Sequence, residues 1–177
     1  METSAGPGRR ARLRFRTLVR GWPWYYETTP IFPCEVLLRA VPNVLGYFKE
    51  SMGNWSVNPY AFVPRKVDTD GISFFREDFT TPSEVVKANR HWASVRVARI
   101  TMKQLRELEL DVQPAPDADK TQPSGHVIVP GMRFVEKPLQ SQAERRRMAD
   151  LSQKLAQMAS QNGVYCPPGL PDPLHQS

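Results

Sequence analysis

The chain has 177 residues, of which 40% are hydrophobic and 17 are prolines, and its formal net charge at pH 7 is +6. This length suits one domain with tails, and its apolar fraction is enough for a core. No run of about 18 apolar residues is present, which excludes a spanning helix, and no signal-type apolar region is found near the start. The only cysteines, Cys34 and Cys166, are too few for a disulfide framework or a cysteine zinc site, which favours a reducing, cytoplasmic location without membrane contact.

Most of the positive charge lies in residues 1–20, which hold six arginines against Glu2 and leave only +1 of the total +6 for the other residues. Clustered arginines bind phosphate groups with release of counterions, so this basic arm is a candidate nucleic-acid-binding segment. A solvated tail that aids solubility and an organellar transit peptide are alternatives that the sequence leaves open. The candidate nucleic-acid-binding residues are Arg9, Arg10, Arg12, Arg14 and Arg16.

Residues 21–33 combine aromatic side chains with three prolines, which exclude a regular helix or central strand. We expect an aromatic strap laid over the core, or alternatively a docking patch for a protein partner. The candidate partner-binding residues are Trp22, Trp24, Tyr25 and Tyr26. The apolar stretch 35–41 then predicts a strand, 43–52 a short helix and 54–64 a loop.

Three capping boxes predict helix starts at Thr81, Thr101 and Ser141, with helices ending near residues 91, 108 and 160. Further strands are expected at 71–75, 94–100 and 126–130, and a flexible loop at 114–125. The pattern predicts an α+β fold, with a small mixed or antiparallel sheet and three capped helices. The predicted organisation is a disordered basic arm at 1–20, a single domain at 21–160 and a disordered Pro-rich tail at 161–177.

The sequence lacks the phosphate-loop, dinucleotide-binding, zinc-protease and nucleophile-elbow motifs. The three histidines, His91, His126 and His175, have no metal-ligand spacing, so no metal or other cofactor is predicted. Asp68 and Asp70 resemble the start of an EF-hand loop, but the pattern fails at the following ligand positions. A turn cap is therefore the favoured role for these carboxylates.

Polar residues on predicted core strands form a candidate catalytic set, namely Arg39, Asp70, Ser73 and His126. A guanidinium in an apolar strand needs a partner or an anionic ligand. If one face of the sheet gathers the set, Arg39 would hold a phosphate, Ser73 would orient a ribose and His126 would move a proton. Alternatively, Asp68 or Asp70 pairs with Arg39 in a structural network.

The order of motifs resembles a scattered group of small bacterial proteins, with no settled activity, in which an arginine strand precedes an Asp-x-Asp-Gly-[Leu/Ile]-Ser turn. The resemblance is carried by Arg39, Ala61-Phe-Val-Pro64, Asp68-Thr-Asp-Gly-Ile-Ser73 and His126-Val-Ile128. The arrangement is also faintly similar to ADP-ribosyltransferase folds, which implies NAD surrounded by an early-strand arginine, a mid-sheet serine and a later acid. No late-strand glutamate completes that set here, which leaves open whether the protein is an enzyme.

The leading functional hypothesis is a non-enzymatic accessory or interaction protein of a larger bacterial assembly, of nucleoprotein or defence type. It would bind a protein partner, and nucleic acid through the arm. One alternative is a nucleotide- or NAD-binding enzyme similar to ADP-ribosyltransferases. Another is a structural subunit of a phage or secretion particle.

Overall fold

The computed structural model describes residues 30–44, 46–51, 54–89, 94–115, 123–136 and 139–170. Within these ranges the chain forms strands and helices in an α+β arrangement, as predicted. The strands are β1 (Val36–Pro42), β2 (Phe48–Ser51), β3 (Asn54–Val57), β4 (Ile72–Arg76), β5 (Val95–Thr101), β6 (Gln113–Pro114), β7 (His126–Val129) and β8 (Val164–Tyr165). The α-helices are α1 (Pro82–Ala88), α2 (Met102–Glu107) and α3 (Gln142–Asn162), and the 3-10 helices are η1 (Pro59–Phe62) and η2 (Pro130–Met132).

The main sheet has six strands in the order β6-β7-β4-β1-β5-β8, and its paired strands are antiparallel. At its centre, β1 pairs with β5 along its whole length, from Val36 opposite Thr101 to Pro42 opposite Val95. On the other side, Leu38 lies opposite Phe75 of β4. Strands β2 and β3 form a separate two-stranded sheet. Strand β1 therefore lies inside the sheet, with β5 paired to one of its edges and β4 to the other.

Side chains of β1 and β4 alternate between two apolar layers, as the pleat requires. One layer, the α3 face, contains Leu37, Phe74 and Leu155 of the long helix. The opposite layer, the α1 face, contains Leu38 and Phe75, together with Val85 of α1 and Val97 of β5. Because both faces of the central strands are covered, most residues of β1 and β4 are buried and the others are half-buried, whichever way their side chains point.

The α3 face also contains three buried arginines on neighbouring strands. Arg39 lies on β1, Arg76 on β4 and Arg96 on β5. The guanidinium of Arg76 donates to both carboxylate oxygens of Glu35, with Nε–Oε1 at 2.7 Å and Nη2–Oε2 at 2.9 Å. Arg96 Nε donates to Asn43 Oδ1 at 2.8 Å. These cations are tolerated in the interior because fixed acceptors replace the water that burial removes.

All three predicted helix starts are confirmed. At Thr81, Thr101 and Ser141 the hydroxyl accepts from the backbone N–H three residues later, and the side chain at that position bonds back to the cap residue. These reciprocal bonds satisfy backbone donors that the first helical turn leaves without partners. The four core strands also begin and end within one residue of their predicted bounds.

The prediction of a short helix over residues 43–52 is wrong. This segment contains β2, where Phe48 lies opposite Val57 of β3, and both side chains are buried. Burial of this cross-strand pair outweighs the local helical pattern. Likewise the predicted loop at 54–64 contains β3 and η1, and β8 adds to the sheet after residue 160, inside the predicted tail.

Two glycines with positive φ meet different surroundings. Gly71 precedes β4 with φ of +139°, and a Cβ built there would lie 2.4 Å from the carbonyl oxygen of Val129. Gly163 ends α3 with φ of +82°, and a Cβ there would have no atom within 4 Å. Of these two glycines, Gly71 alone combines a positive φ with a close approach to a neighbouring backbone.

None of the helices in the described ranges is long and apolar enough to cross a membrane.

Candidate functional site

Arg39 lies inside the α3 face, with 4% of its surface exposed. Its Nε donates to the carbonyl of Ala61 at 2.9 Å, and its Nη1 donates to the carbonyl of Ser73 at 3.0 Å. The guanidinium also lies 5.8 and 5.7 Å from the ring centroids of Phe62 and Phe74. The side chain thus joins η1 to the sheet through backbone acceptors and aromatic rings.

Burial lowers the pKa of Arg39 to about 10, because the charged form is poorly solvated in the core. The carboxylate of Asp68 opposes this lowering, and Arg65 adds to it. At neutral pH the guanidinium keeps its charge. The hydrogen bonds of Arg39 go to the carbonyls of Ala61 and Ser73, and its pairing with Asp68 or Asp70 stays a prediction.

Asp68 caps a tight turn at residues 65–68. Its Oδ2 accepts a hydrogen bond from the backbone N–H of Arg65 at 2.7 Å and lies 3.6 Å from Arg65 Nε. The carbonyl of Asp68 accepts from the backbone N–H of Phe134 at 2.8 Å, which joins the turn to the segment after η2. The prediction of a turn cap is confirmed for Asp68, whereas Asp70 lies exposed beyond the turn.

Ser73 and His126 lie on the α1 face. In β4, Ser73 falls between Ile72 and Phe74 of the α3 face, so its side chain points the opposite way. The ring of His126 stacks on Phe75 of the α1 face, with centroids 5.3 Å apart. The structure therefore does not bring the candidate catalytic set into one pocket, because Arg39 meets Ser73 only through its carbonyl. Their catalytic roles stay predictions.

The candidate arm residues Arg9, Arg10, Arg12, Arg14 and Arg16, and the aromatic candidates Trp22, Trp24, Tyr25 and Tyr26, lie outside the described residues. Their proposed binding roles stay predictions. The metal prediction concerned three histidines, of which only His126 is described. Among the described residues, no group of three histidine, cysteine or acidic side chains is placed to hold a metal ion.

A pocket of about 260 Å³ opens next to the Asp68 turn, and we call it the tyrosine pocket. It is lined by Gly46, Tyr47, Tyr60, Val63 and Arg65. The local fold of η1 explains why Tyr60 is exposed in this pocket. The side chain of the N-cap residue Asn58 accepts from Tyr60 N, and η1 buries Ala61 and Phe62 while 68% of Tyr60 stays exposed.

A second pocket of about 220 Å³ lies between the end of η1 and the first turns of α3, and we call it the helix pocket. Its walls are mainly aliphatic and aromatic, and its cationic lining residues are Arg133 and Arg145. Val63 lines both pockets, which makes them neighbours on one surface. The apolar lining residues include Val63, Pro64, Phe134, Val135 and Met148.

Exposed apolar side chains concentrate around these pockets, which together form the two-pocket surface. Tyr60 and Val63 line it, Val67 protrudes from the Asp68 turn with 77% exposure, and Leu139 precedes the lining residue Gln140 with 77% exposure. Large apolar side chains exposed together on a protein surface are typical of binding sites. The described lining residues of the two pockets include no histidine and no carboxylate.

The two-pocket surface is built on fixed parts of the fold. Ser152 Oγ of α3 donates to the carbonyl of Phe62 at 3.2 Å, and Arg39 holds the adjacent carbonyl of Ala61. The bond from Phe134 N to Asp68 holds the Asp68 turn against the wall of the helix pocket. A surface held in this way loses little conformational freedom when a partner binds.

The residues of this surface were absent from the sequence-based candidates. Val63 and Arg65 flank a predicted loop end, and Arg133 and Arg145 lie about 70 and 80 residues further along the chain. No local pattern joins these segments, because the contact between Asp68 and Phe134 is made only in the folded chain.

Comparison with known proteins gives no match to a protein-family profile, to a curated protein or to a solved structure. The resemblance to small bacterial proteins and to ADP-ribosyltransferases therefore stays a prediction.

Proposed function

We propose that the protein is a non-enzymatic interaction module, which holds a partner protein in a larger assembly through the two-pocket surface. The observation that carries this proposal is the exposure of Tyr60 and Val63 in adjoining pockets on a fixed scaffold, with exposed Val67 two residues after the lining residue Arg65. Single exposed apolar residues are ordinary on protein surfaces, but a contiguous group beside concave sites favours an interface.

The geometry gives less support to an NAD-dependent enzyme. Arg39 has its donors directed at two backbone carbonyls in the core, and Ser73 points to the opposite face of the sheet. A phosphate would compete for Arg39 with its existing bonds to Ala61 of η1 and Ser73 of β4. The particle-subunit alternative differs from our proposal in the partner, which would be further copies of this chain.

The proposal is tested with the untagged full chain from its native host. A protein that co-purifies with the wild type is identified, expressed separately and remixed with purified wild-type chain, Val63→Asp and Ser83→Asp. Val63 lines both pockets and is 39% exposed. Ser83 is the control, because it is exposed on α1, which packs on the other face of the sheet, and its replacement adds the same single negative charge. We expect Val63→Asp to weaken the complex by about tenfold or more, because a charge in an apolar contact is desolvated without a partner.

Ser83→Asp should bind as the wild type does, and both variants should unfold at temperatures close to the wild-type value. A reconstituted complex that is indifferent to Val63→Asp would place the interface elsewhere and contradict the proposal. If size-exclusion chromatography shows that the purified chain only assembles with itself, the particle-subunit alternative is favoured instead.

A further inference from the structure

We propose that the two-pocket surface binds an acidic segment of the partner that carries one large apolar anchor residue. This inference rests on the proposed function and specifies its ligand chemistry. The anchor enters the tyrosine pocket, and the flanking carboxylates meet the arginines at the rims of both pockets.

The charge of the surface selects acidic ligands. Arg65 lines the tyrosine pocket, and Arg133 and Arg145 line the helix pocket. Asp68 accepts from the backbone of Arg65 and lies 3.6 Å from its Nε, and Glu144 accepts from the backbone of Ser141. Asp70 and Glu136 lie exposed in the neighbouring segments. Further exposed cations flank this region, namely Lys66, Arg146 and Arg147. The described lining residues of the two pockets thus include three arginines and no carboxylate, and guanidinium groups bind carboxylates in two-point geometry.

The shape of the tyrosine pocket selects a single side chain. Its volume of about 260 Å³ is below the usual range of roughly 300–1,000 Å³ for small-molecule sites. Its walls include the aromatic rings of Tyr47 and Tyr60 and the aliphatic side chain of Val63. Such a pocket matches a leucine or phenylalanine anchor, whose burial supplies affinity that charge pairs at an exposed rim do not.

A protein ligand fits better than a nucleic acid. Single-stranded nucleic acids bind in grooves whose cations follow the phosphate backbone, beside aromatic rings on which successive bases stack. Here Val63, Pro64 and Val135 line the pockets together with the arginines, and their apolar side chains offer no donor to phosphates. Alternating carboxylates and apolar side chains of a peptide complement this order.

The test measures fluorescence anisotropy of labelled peptides with the full chain. The first peptide has a central Leu-Phe pair among aspartates and glutamates. In the second, serines replace that pair, and in the third, lysines replace the acids. We expect the first peptide to bind about tenfold more tightly than the second and to weaken with added salt, since the anchor and the charges both contribute. The third peptide should show no saturable binding.

Charge-reversal variants locate the site. Arg65→Glu and, independently, the more exposed Arg133→Glu should each weaken binding of the first peptide by roughly fivefold to tenfold. Lys103→Glu is the matched control, because this α2 lysine is 73% exposed at the opposite end of β1 and undergoes the same change of charge. Its affinity should stay within about twofold of the wild type. Since all variants share residues 1–20, attraction to the basic arm cancels in this comparison.

Equal effects of Arg133→Glu and Lys103→Glu would overturn the inference, and so would tight binding of the lysine peptide. Displacement of the peptide by a single-stranded oligonucleotide at lower concentration, with the same dependence on Arg65, would instead identify a nucleic-acid site. A native partner that requires Val63 but contacts it with a neutral or basic segment would overturn this inference alone. A host partner that is indifferent to Val63→Asp would overturn the proposed function, even if acidic peptides bind.

Discussion

Replacement of Arg39 by methionine tests whether this buried arginine is retained for stability. Methionine preserves most of the unbranched side-chain volume but removes the donors to the carbonyls of Ala61 and Ser73. Each hydrogen bond from a charged donor contributes about 1.5–3 kcal/mol. The two contacts with the rings of Phe62 and Phe74 add about 0.5–1 kcal/mol each.

Removal of the charge also relieves a penalty. The burial that lowers the pKa of Arg39 to about 10 corresponds to roughly 3 kcal/mol, since each tenfold change in a protonation equilibrium is worth about 1.4 kcal/mol. The lost interactions exceed this relief, so we expect Arg39→Met to lower the free energy of unfolding by about 2 kcal/mol. Arg39→Ala should lose about 2 kcal/mol more, because it also leaves a cavity.

Urea denaturation followed by circular dichroism measures both differences, provided that the slopes with denaturant agree between variants. A methionine variant as stable as the wild type, or more stable, would refute this reasoning. Replacement of a buried charge by an apolar side chain is often neutral or stabilising where the charge lacks good partners. That outcome would mean that the bonds of Arg39 do not offset its burial, and it would favour a binding role for the guanidinium.

Three further predictions concern pH and backbone geometry. The pKa of Arg39 is lower in the folded state than in the unfolded state, so burial of its charge destabilises the fold fully at neutral pH and less as the pH rises through about 10. Between pH of about 9 and 11, the free energy of unfolding of the wild type should therefore rise by about 1 kcal/mol relative to that of Arg39→Met. Urea titrations at the two pH values measure this gain, and an unchanged difference contradicts it. Ser141→Ala should destabilise the protein by about 1 kcal/mol. It should also raise the pKa of Glu144, because the Ser141 hydroxyl holds that pKa below its ordinary value. In the wild type, the stability that this carboxylate contributes is lost as the pH falls through its folded-state pKa. NMR titration of Glu144 checks this, and an unshifted midpoint would be inconsistent with the capping geometry. Gly71→Ala should cost about 3 kcal/mol or more and Gly163→Ala about 1 kcal/mol by thermal unfolding, since only the first meets a strand carbonyl. Equal losses would argue against that contact.

The helix starts could be predicted from the sequence because a capping box is local. Thr81 and Glu84, or Thr101 and Gln104, lie three residues apart and form their bonds within one turn. The core strands were equally accessible, since short apolar runs between turn residues predict buried strands. These patterns placed the elements but contained no information on how distant segments meet.

The face occupied by each polar side chain could not be predicted. Strands β1 and β4 are covered on both sides, so their apolar pattern does not alternate and gives no clue to whether Arg39 and Ser73 share a face. The pairing of Leu38 with Phe75 decides this, and a register shifted by one residue would have reversed the answer. The two-pocket surface depends in the same way on the distant contact between Asp68 and Phe134.

The buried arginines of the α3 face also bear on how this sheet avoids mispaired alternatives. A slip of β1, β4 or β5 by one residue would carry Arg39, Arg76 or Arg96 into the apolar layer beneath α1, away from Ala61, Glu35 and Asn43. Leucine or valine in their place would tolerate either arrangement. We therefore expect each buried guanidinium to specify the strand register, because a shifted register would bury its charge without an acceptor. This holds even where the arginine contributes little to the stability of the correct fold.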